Sequence, residues 1–244
     1  MEVTDAEAPG HPEIYRVVAD NPGPMTLTGT NTYLYGSDPC WVIDPGPEDE
    51  RHTAAVKKAA ADRGGIGGVL LTHSHHDHSG GVEAVGVPLS ENVDGERFGG
   101  LTAVATPGHA IDHFCYFTDD GVCFSGDLIL GWGSTYVPPD GGSLTSYMES
   151  LRLVRDRRPS LICPAHGPFI TDPAAKVEEY LEHRESRERG LIEAMDRGVR
   201  SRMALLDEVW SDVHEQLRPA ANVVMEAHLQ KLETEGRLPA DLGE

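Results

Sequence analysis

His73-Ser74-His75-His76-Asp77-His78 combines imidazoles and a carboxylate at a spacing suited to two neighbouring metal ions. The segment before it, Gly67-Gly68-Val69-Leu70-Leu71-Thr72, reads as a buried strand. Ser79-Gly80-Gly81 after it reads as a tight turn into a helix. The cluster therefore lies where a strand gives way to a helix, the place where α/β sheets carry their sites. This ligand chemistry suits zinc, with manganese and iron as competitors. A surface or tag-like histidine tract would sit at a terminus, with no apolar strand before it and no aspartate inside it.

Three more ligand-type residues follow strand-like runs. His109 closes Ala105-Thr106-Pro107-Gly108-His109, after the apolar run 101–105. Asp127 closes Phe124-Ser125-Gly126-Asp127, and His166 lies in Ile162-Cys163-Pro164-Ala165-His166-Gly167. Each has glycine or proline beside it, which lets the backbone turn sharply towards a common point. A lone histidine of this kind is more often structural or exposed. Three such residues, all at strand ends, form a set.

In this order the residues resemble the metallo-β-lactamase fold superfamily of binuclear metallohydrolases, over roughly residues 14 to 170. Its motif runs His-x-His-x-Asp-His, then His, Asp and His. The resemblance implies that His73, His75 and His109 hold one metal, that Asp77, His78 and His166 hold the other, and that Asp127 bridges them. Asp44, in Trp41-Val42-Ile43-Asp44-Pro45-Gly46, matches the motif whose aspartate supports the ligands from behind. His76 has no assigned role and is expected to face away. The implied fold is an αββα sandwich, and the implied cofactor is a pair of zinc ions, with manganese or iron as alternatives. Water held by such a metal has its pKa lowered from near 16 to roughly 7. The expected reaction is hydrolysis of an ester, thioester, amide or phosphodiester by a metal-bridging hydroxide. Asp77 would also orient the nucleophile by accepting its proton. A redox use of this fold would need a flavin domain, which the sequence does not suggest.

The remaining pattern fits that frame. Residues 14–19, 31–35, 40–43, 101–105, 113–118 and 121–125 read as strands. Residues 48–63 read as a helix with an acidic first turn stopped by Gly64, and 144–157 as a helix capped by Ser143. The loop 131–142 is long and rich in glycine, proline and aromatics. Loops of that length are often functional. Trp132 and Tyr136 are therefore candidate substrate contacts, unless they only cover core.

After His166 the composition changes. Asp172-Pro173 is a good helix start, and a charged linking helix follows to Arg189, with Glu185 and Arg189 spaced to pair. Three helical patterns come next, over 191–195, 203–210 and 219–235, and they resemble a winged helix. The expected division is a catalytic domain over 1–172, then a linking helix and winged-helix-like domain over 173–244. A lactamase-fold hydrolase with such an appendage resembles the lactamase-like group that includes mitochondrial endoribonucleases and fungal polyketide thioesterases. The segment Asn21-Pro22-Gly23-Pro24-Met25-Thr26-Leu27-Thr28-Gly29-Thr30-Asn31-Thr32-Tyr33 carries that likeness too. So does Pro138-Pro139-Asp140-Gly141 followed by Tyr147 and Ser150-Leu151.

Charge narrows the partners. The chain has 20 basic and 40 acidic residues, a formal net charge of −20, and only 4 of the basic residues are lysine. Residues 176–244 alone carry 10 basic and 16 acidic residues. The last helix offers only Lys231 and Arg237 near its end, a poor recognition helix. Duplex DNA and anionic membranes are thus not expected as partners, and the winged helix is expected to pack on the catalytic domain and shape its cleft. No stretch approaches the ~20 apolar residues of a membrane span. The acidic start and the placing of Cys40, Cys115, Cys123 and Cys163 in apolar runs point to a reduced cytoplasm. A secreted β-lactamase is disfavoured, since by the same resemblance those enzymes lack a counterpart of Asp127. Hydroxyacylglutathione hydrolases differ in the C-terminal segment.

Two enzyme readings remain. One is cleavage of single-stranded RNA, with Arg152, Arg155, Arg157 and Arg158 as a phosphate-holding run or else a solvated helix face. The other is hydrolysis of a thioester or ester of a small acyl substrate. A metal-binding regulator using its winged helix is the non-enzymatic reading. The charge itself is consistent with a high-salt cytoplasm or with a GC-rich genome. In the first case the melting temperature climbs as KCl rises to molar concentration, because salt screens repulsion among carboxylates. A flat or falling curve leaves genomic composition as the explanation.

Overall fold

The computed structural model describes residues 3–243. β1 (Ala6–Ala8), β2 (His11–Val18), β3 (Asn31–Tyr35) and β4 (Cys40–Ile43) pair antiparallel in that order. β5 (Ile66–Leu70) joins parallel to β4, and parallel neighbours need a crossover, which α1 (Glu50–Ala61) supplies. Asp49 caps α1, its carboxylate accepting from His52 N at 2.7 Å. Two short helices follow, α2 (His76–Ser79) and α3 (Val82–Val85).

The second sheet comprises β6 (Arg97–Phe98), β7 (Leu101–Ala105), β8 (Phe114–Thr118), β9 (Val122–Gly126) and β10 (Leu161–Pro164), ordered β10-β9-β8-β7-β6. β10 lies parallel to β9 after a crossover through α4 (Leu144–Arg157). Ser143 caps α4 as expected, accepting from Ser146 N at 3.2 Å.

The two sheets face each other through Ile14, Tyr33, Ile43 and Leu70 on one side and Leu101, Ala103, Tyr116 and Phe124 on the other. Val56 and Ala60 of α1 cover the outer face of the first sheet. Tyr147, Leu151 and Val154 of α4 cover that of the second, over Cys115, Cys123 and Ile162. This is the expected αββα sandwich, and all four cysteines are buried in it as free thiols.

The C-terminal third departs from expectation in the course of its first helix. The linking helix and the 191–195 pattern are one continuous helix, α5 (Pro173–Asp196). Gly190 lies within it. A helical glycine costs about 1 kcal/mol relative to alanine, but here the missing side chain admits Val209, which would lie 3.1 Å from an added Cβ. Val177, Tyr180 and Leu181 at the start of α5 belong to the core under the second sheet. Leu191, Ala194 and Met195 at its end belong to a separate core with α6 (Arg202–Val209), Trp210 and α7 (Arg218–Thr234). The division at residues 172 and 173 thus falls at the start of a helix that serves two cores.

The expected Glu185–Arg189 pair does not form. Arg189 bonds Glu182 at 2.5 Å and Glu185 pairs with Arg152 of α4 at 3.6 Å, because these side chains reach other partners along and across the helices. Among the described residues, no helix is long and apolar enough to cross a membrane.

Leu191 is fully buried in the C-terminal core. Leu191→Ala should cost about 2–5 kcal/mol, the usual range for such a cavity, as read by chemical denaturation. If α5 were instead a solvated linker at this point, the loss would be near zero.

Candidate active site

β5, β7, β9 and β10 end on one edge of the sandwich, and each hands over to a ligand-type residue. The turn after β5 carries His73 and His75, and α2 carries Asp77 and His78. His109 follows β7, Asp127 follows β9 at once, and His166 follows β10. Gly126, at φ +50, closes the approach of β9. A Cβ there would meet His113 Nε2 at 2.6 Å and Thr72 Cβ at 2.7 Å.

These seven side chains converge. His73 Nε2 lies 2.8 Å from His75 Nδ1, which lies 3.1 Å from His109 Nε2. On the other side His166 Nε2 lies 3.3 Å from Asp77 Oδ2, and His78 Nε2 lies 3.5 Å from the same oxygen. Asp127 stands between the two groups. Its Oδ2 is 3.5 Å from His109 Nε2, and its Oδ1 is 3.2 Å from His166 Nε2. Three sets have donor atoms close enough together to share an ion: His73 with His75 and His109, His73 with His78 and Asp127, and Asp77 with His78 and His166.

The outer nitrogens are already engaged, which fixes the tautomers. His109 Nδ1 donates to Tyr136 O at 2.6 Å, and His166 Nδ1 to Gly29 O at 3.2 Å. His78 Nδ1 donates to Asp44 Oδ2 at 2.9 Å. Asp44 also accepts from Thr72 N and Thr72 Oγ1, each at 2.7 Å, and Thr72 Oγ1 lies 3.1 Å from His73 Nδ1. Asp44 thus supports two histidines from behind, and each of these rings turns its Nε2 to the shared centre. The Gly29–Thr32 segment buttresses the same edge: Asn31 Nδ2 donates to Pro164 O and Gly167 O, on either side of His166.

A metal fits this arrangement. His78 Nε2 and Asp127 Oδ1 are buried without hydrogen-bond partners, and buried polar atoms are rarely left so. Five imidazole nitrogens and two carboxylates aimed at one another form the donor set that zinc, iron or manganese takes.

The electrostatics of the metal-free protein differ across the centre. Burial, helped by the nearby His78, holds His73 well below the usual imidazole range. Burial and then His109 lower His75. Burial opposes charge on His78 and His166 too, but there the carboxylates win. Asp127 and Asp44 raise His78 well above its usual value, and Asp127 and Asp77 push His166 up to about 9. Burial alone would raise Asp127, yet His166 and His78 hold it well below the carboxylate range.

The centre lies in the wall of a cavity of about 550 Å³. Trp132 and Tyr136 line it, as expected of the 131–142 loop. His76 does not face away: it is exposed and lines the same cavity, because it opens α2 on the solvent side. None of Arg152, Arg155, Arg157 and Arg158 lines it. Arg157 lies over the Phe117 ring, 5.0 Å from its centroid, and Arg155 bonds Asp156.

Sequence reasoning missed other parts of the site. His113 is buried beside His73, ring centroids 5.3 Å apart, with Nδ1 2.9 Å from Thr106 Oγ1. Burial and then His109 take its pKa down to about 3. The opposite cavity wall comes from the winged-helix region, as expected of a domain that shapes the cleft, but sequence reasoning does not single out the residues that build it, Trp210, Val213, Leu217, Ala221 and Val224. Arg184 of α5 joins them, 2 % exposed, bonding Ser134 Oγ at 3.1 Å and Thr135 O. Within a charged helix nothing marks Arg184 as different.

Comparison with known proteins gives the same outline. The model of the Metallo-beta-lactamase superfamily matches residues 25–86 and 85–166, and that of the Beta-lactamase associated winged helix domain matches residues 201–240. The chain is 34% identical over 266 residues to the Beta-lactamase-like protein 2 homolog of Drosophila melanogaster, covering 92% of this chain and 89% of that protein. It is 37% identical over 209 residues to the Atrochrysone carboxyl ACP thioesterase of Aspergillus chevalieri, covering 75% of this chain and 66% of that enzyme. The crystal structure of a metallo-beta-lactamase family protein from Thermus thermophilus superposes with a TM-score of 0.73 at 22% identity, covering 93% of this chain and 95% of that one.

Metal ligation requires His166 without a proton on Nε2. With its pKa at about 9 in the metal-free protein, a bound metal must displace that proton at neutral pH. Apparent zinc affinity should therefore fall as pH drops below about 9, with proton release on binding. Calorimetric titration in buffers of different ionisation enthalpy measures the release, and none at pH 7 would contradict the charge state assigned to His166.

Proposed function

The chain belongs to the metallo-β-lactamase superfamily of metal-dependent hydrolases, and from that premise we propose that it cleaves thioesters or esters of small apolar acyl groups at a two-metal centre. His73, His75 and His109 would hold one ion, Asp77, His78 and His166 the other, and Asp127 would bridge them. Zinc suits the donors best, with manganese or iron as alternatives. When bound, the ions supply a water of lowered pKa and polarise the scissile carbonyl. Asp77 takes the role of orienting the attacking water by accepting its proton. Burial opposes its ionised form, but His166 and His78 keep its pKa below the usual range, so it is an acceptor at neutral pH.

The observation that carries this reading is the character of the cavity beside the metal-ligand cluster. Met25, Leu27, Leu130, Trp132, Ala221 and Val224 give it apolar walls. Of its two arginines, Arg187 is paired with Asp212 through two 2.8 Å bonds, and Arg184 turns one amino group to Ser134 Oγ and Thr135 O of the loop. His183, pushed down to about 4 by burial and then by Arg184, is neutral. Such walls suit an acyl chain better than a phosphate backbone, and the similarity to an acyl-carrier-protein thioesterase supports the same choice. Single-stranded RNA loses the arginine run as a support, since that run lies off the cavity.

The experiment compares acyl-thioesters of rising chain length with a labelled single-stranded oligonucleotide, for wild type and His75→Ala. Thioester turnover in wild type, lost in His75→Ala, with the oligonucleotide left intact at every salt concentration, is the expected result. Oligonucleotide cleavage lost in His75→Ala, with thioesters untouched, would reverse the assignment. Leu217, 41 % exposed at the cavity wall, provides a finer check. Leu217→Glu should raise KM for a long acyl-thioester roughly tenfold, the scale of one lost apolar contact, while leaving an acetyl-thioester unchanged.

A further inference from the structure

A second cavity, of about 280 Å³, opens where α4, α5 and α7 meet, away from the metal-ligand cluster. Its apolar lining comes from Leu144, Met148 and Ile192. Its charged lining is Arg152, Arg184, Arg189, Lys231 and Arg237 against two carboxylates, Glu185 and Glu188. Four of these five cations are paired, Arg152 with Glu185, Arg189 with Glu182, and Lys231 and Arg237 with Glu188 and Glu235, which leaves Arg184. Both carboxylates are already committed: Glu185 to Arg152 at 3.6 Å, and Glu188 to Lys231 at 2.8 Å and Arg237 at 3.5 Å.

Two lining side chains have polar atoms with no protein partner. His228 is 0 % exposed, and neither ring nitrogen has a hydrogen bond. Its aromatic contact is with Trp210, ring centroids 5.9 Å apart. Arg184 is 2 % exposed with Nε unpartnered, and no carboxylate pairs with it among the described residues. A buried guanidinium without a counter-charge and a buried imidazole without a hydrogen bond are each costly, and here they line one cavity. Together they lack an acceptor that carries negative charge.

We propose that this cavity binds a small monocarboxylate with an apolar body. The carboxylate answers the unpaired charge of Arg184 and the open hydrogen-bonding capacity of His228. The body packs on Leu144, Met148 and Ile192. A phosphate dianion fits less well, since it would have Glu185 and Glu188 as neighbours and nothing to lay on the apolar wall.

The test is titration of the metal-loaded protein with hexanoate, inorganic phosphate and hexanol by calorimetry. Hexanoate should bind saturably and at least roughly tenfold more tightly than the other two, the scale of one charge-assisted hydrogen bond. Ile192→Trp, at a position that lines this cavity and not the metal cavity, should weaken hexanoate by a similar factor. His228→Leu should also weaken it while raising the melting temperature of the ligand-free protein, because an unsatisfied buried polar group is removed. His75→Ala should keep the site. The proposal fails if hexanoate does not saturate, if phosphate or hexanol binds as well, or if Ile192→Trp leaves binding unchanged. It fails equally if binding disappears with His75→Ala, since the ligand would then sit at the metals. A destabilised His228→Leu with wild-type hexanoate affinity would make that histidine a packing residue and end the assignment. Should His228→Leu not fold, Ile192→Trp decides alone.

Discussion

The carboxylate of Asp44 holds the ligand edge together. It is 2 % exposed, and it follows β4 with a left-handed backbone at φ 51. A buried carboxylate is costly unless its oxygens are hydrogen-bonded. Here they accept from Thr72 N, Thr72 Oγ1 and His78 Nδ1, all within 2.9 Å. Three segments are tied by those bonds: the end of β4, the turn after β5, and α2. Two consequences reach the ligands. His78 is locked as its Nδ1–H tautomer and turns Nε2 inward, and Thr72, once engaged by Asp44, presents its oxygen to His73. One side chain thereby orients a member of each proposed ligand set. Thr32 adds a backbone restraint, its hydroxyl donating to Asp44 O at 2.6 Å.

The candidate ligands are legible in sequence for a chemical reason. Apolar runs that end again and again on histidine or aspartate beside glycine or proline aim metal-binding atoms at one edge of a sheet. Helix α4 is equally legible, because its cap, Ser143, is a local signal. What escapes is decided by tertiary contact. The sequence separates a linking helix ending at Arg189 from a new one at Leu191, yet Val209 packs against the bare backbone of Gly190 and α5 runs through. Glu185 and Arg189 have ideal spacing for each other, yet α4 offers Arg152 and the pair dissolves. His113 is missed because a single histidine at the start of a strand carries no pattern. Only its burial against His73 and Thr106 reveals it.

Charge follows the same logic. Forty acidic residues suggest a protein repelled by nucleic acid, and the arginine run suggests the reverse. Arg152, Arg155 and Arg157 each find a carboxylate or an aromatic face nearby, and none of them lines the metal cavity. The arginine that matters most for architecture, Arg184, is the one that points inward. It stacks over the Tyr147 ring at 5.3 Å and clamps the loop that follows Asp127.

That clamp explains why a winged helix accompanies this catalytic fold without a basic face for DNA. The loop 131–142 has little regular structure of its own, so something must hold Trp132 and Tyr136 in place. α5 does so from behind, with Arg184 on Thr135 O and Tyr180 Oη accepting from Leu130 N at 3.0 Å. The next carbonyl along, Tyr136 O, accepts from His109 Nδ1 at 2.6 Å. Adjacent residues therefore connect a ligand-type histidine to the helix that carries the C-terminal core. α7 and the segment before it press on that helix and close the far wall of the cavity with Leu217, Ala221 and Val224. The appended helices are thus part of the cleft itself. Their acidic outer surface follows from the same arrangement, because their one apolar face is committed inward and only solvent remains on the other.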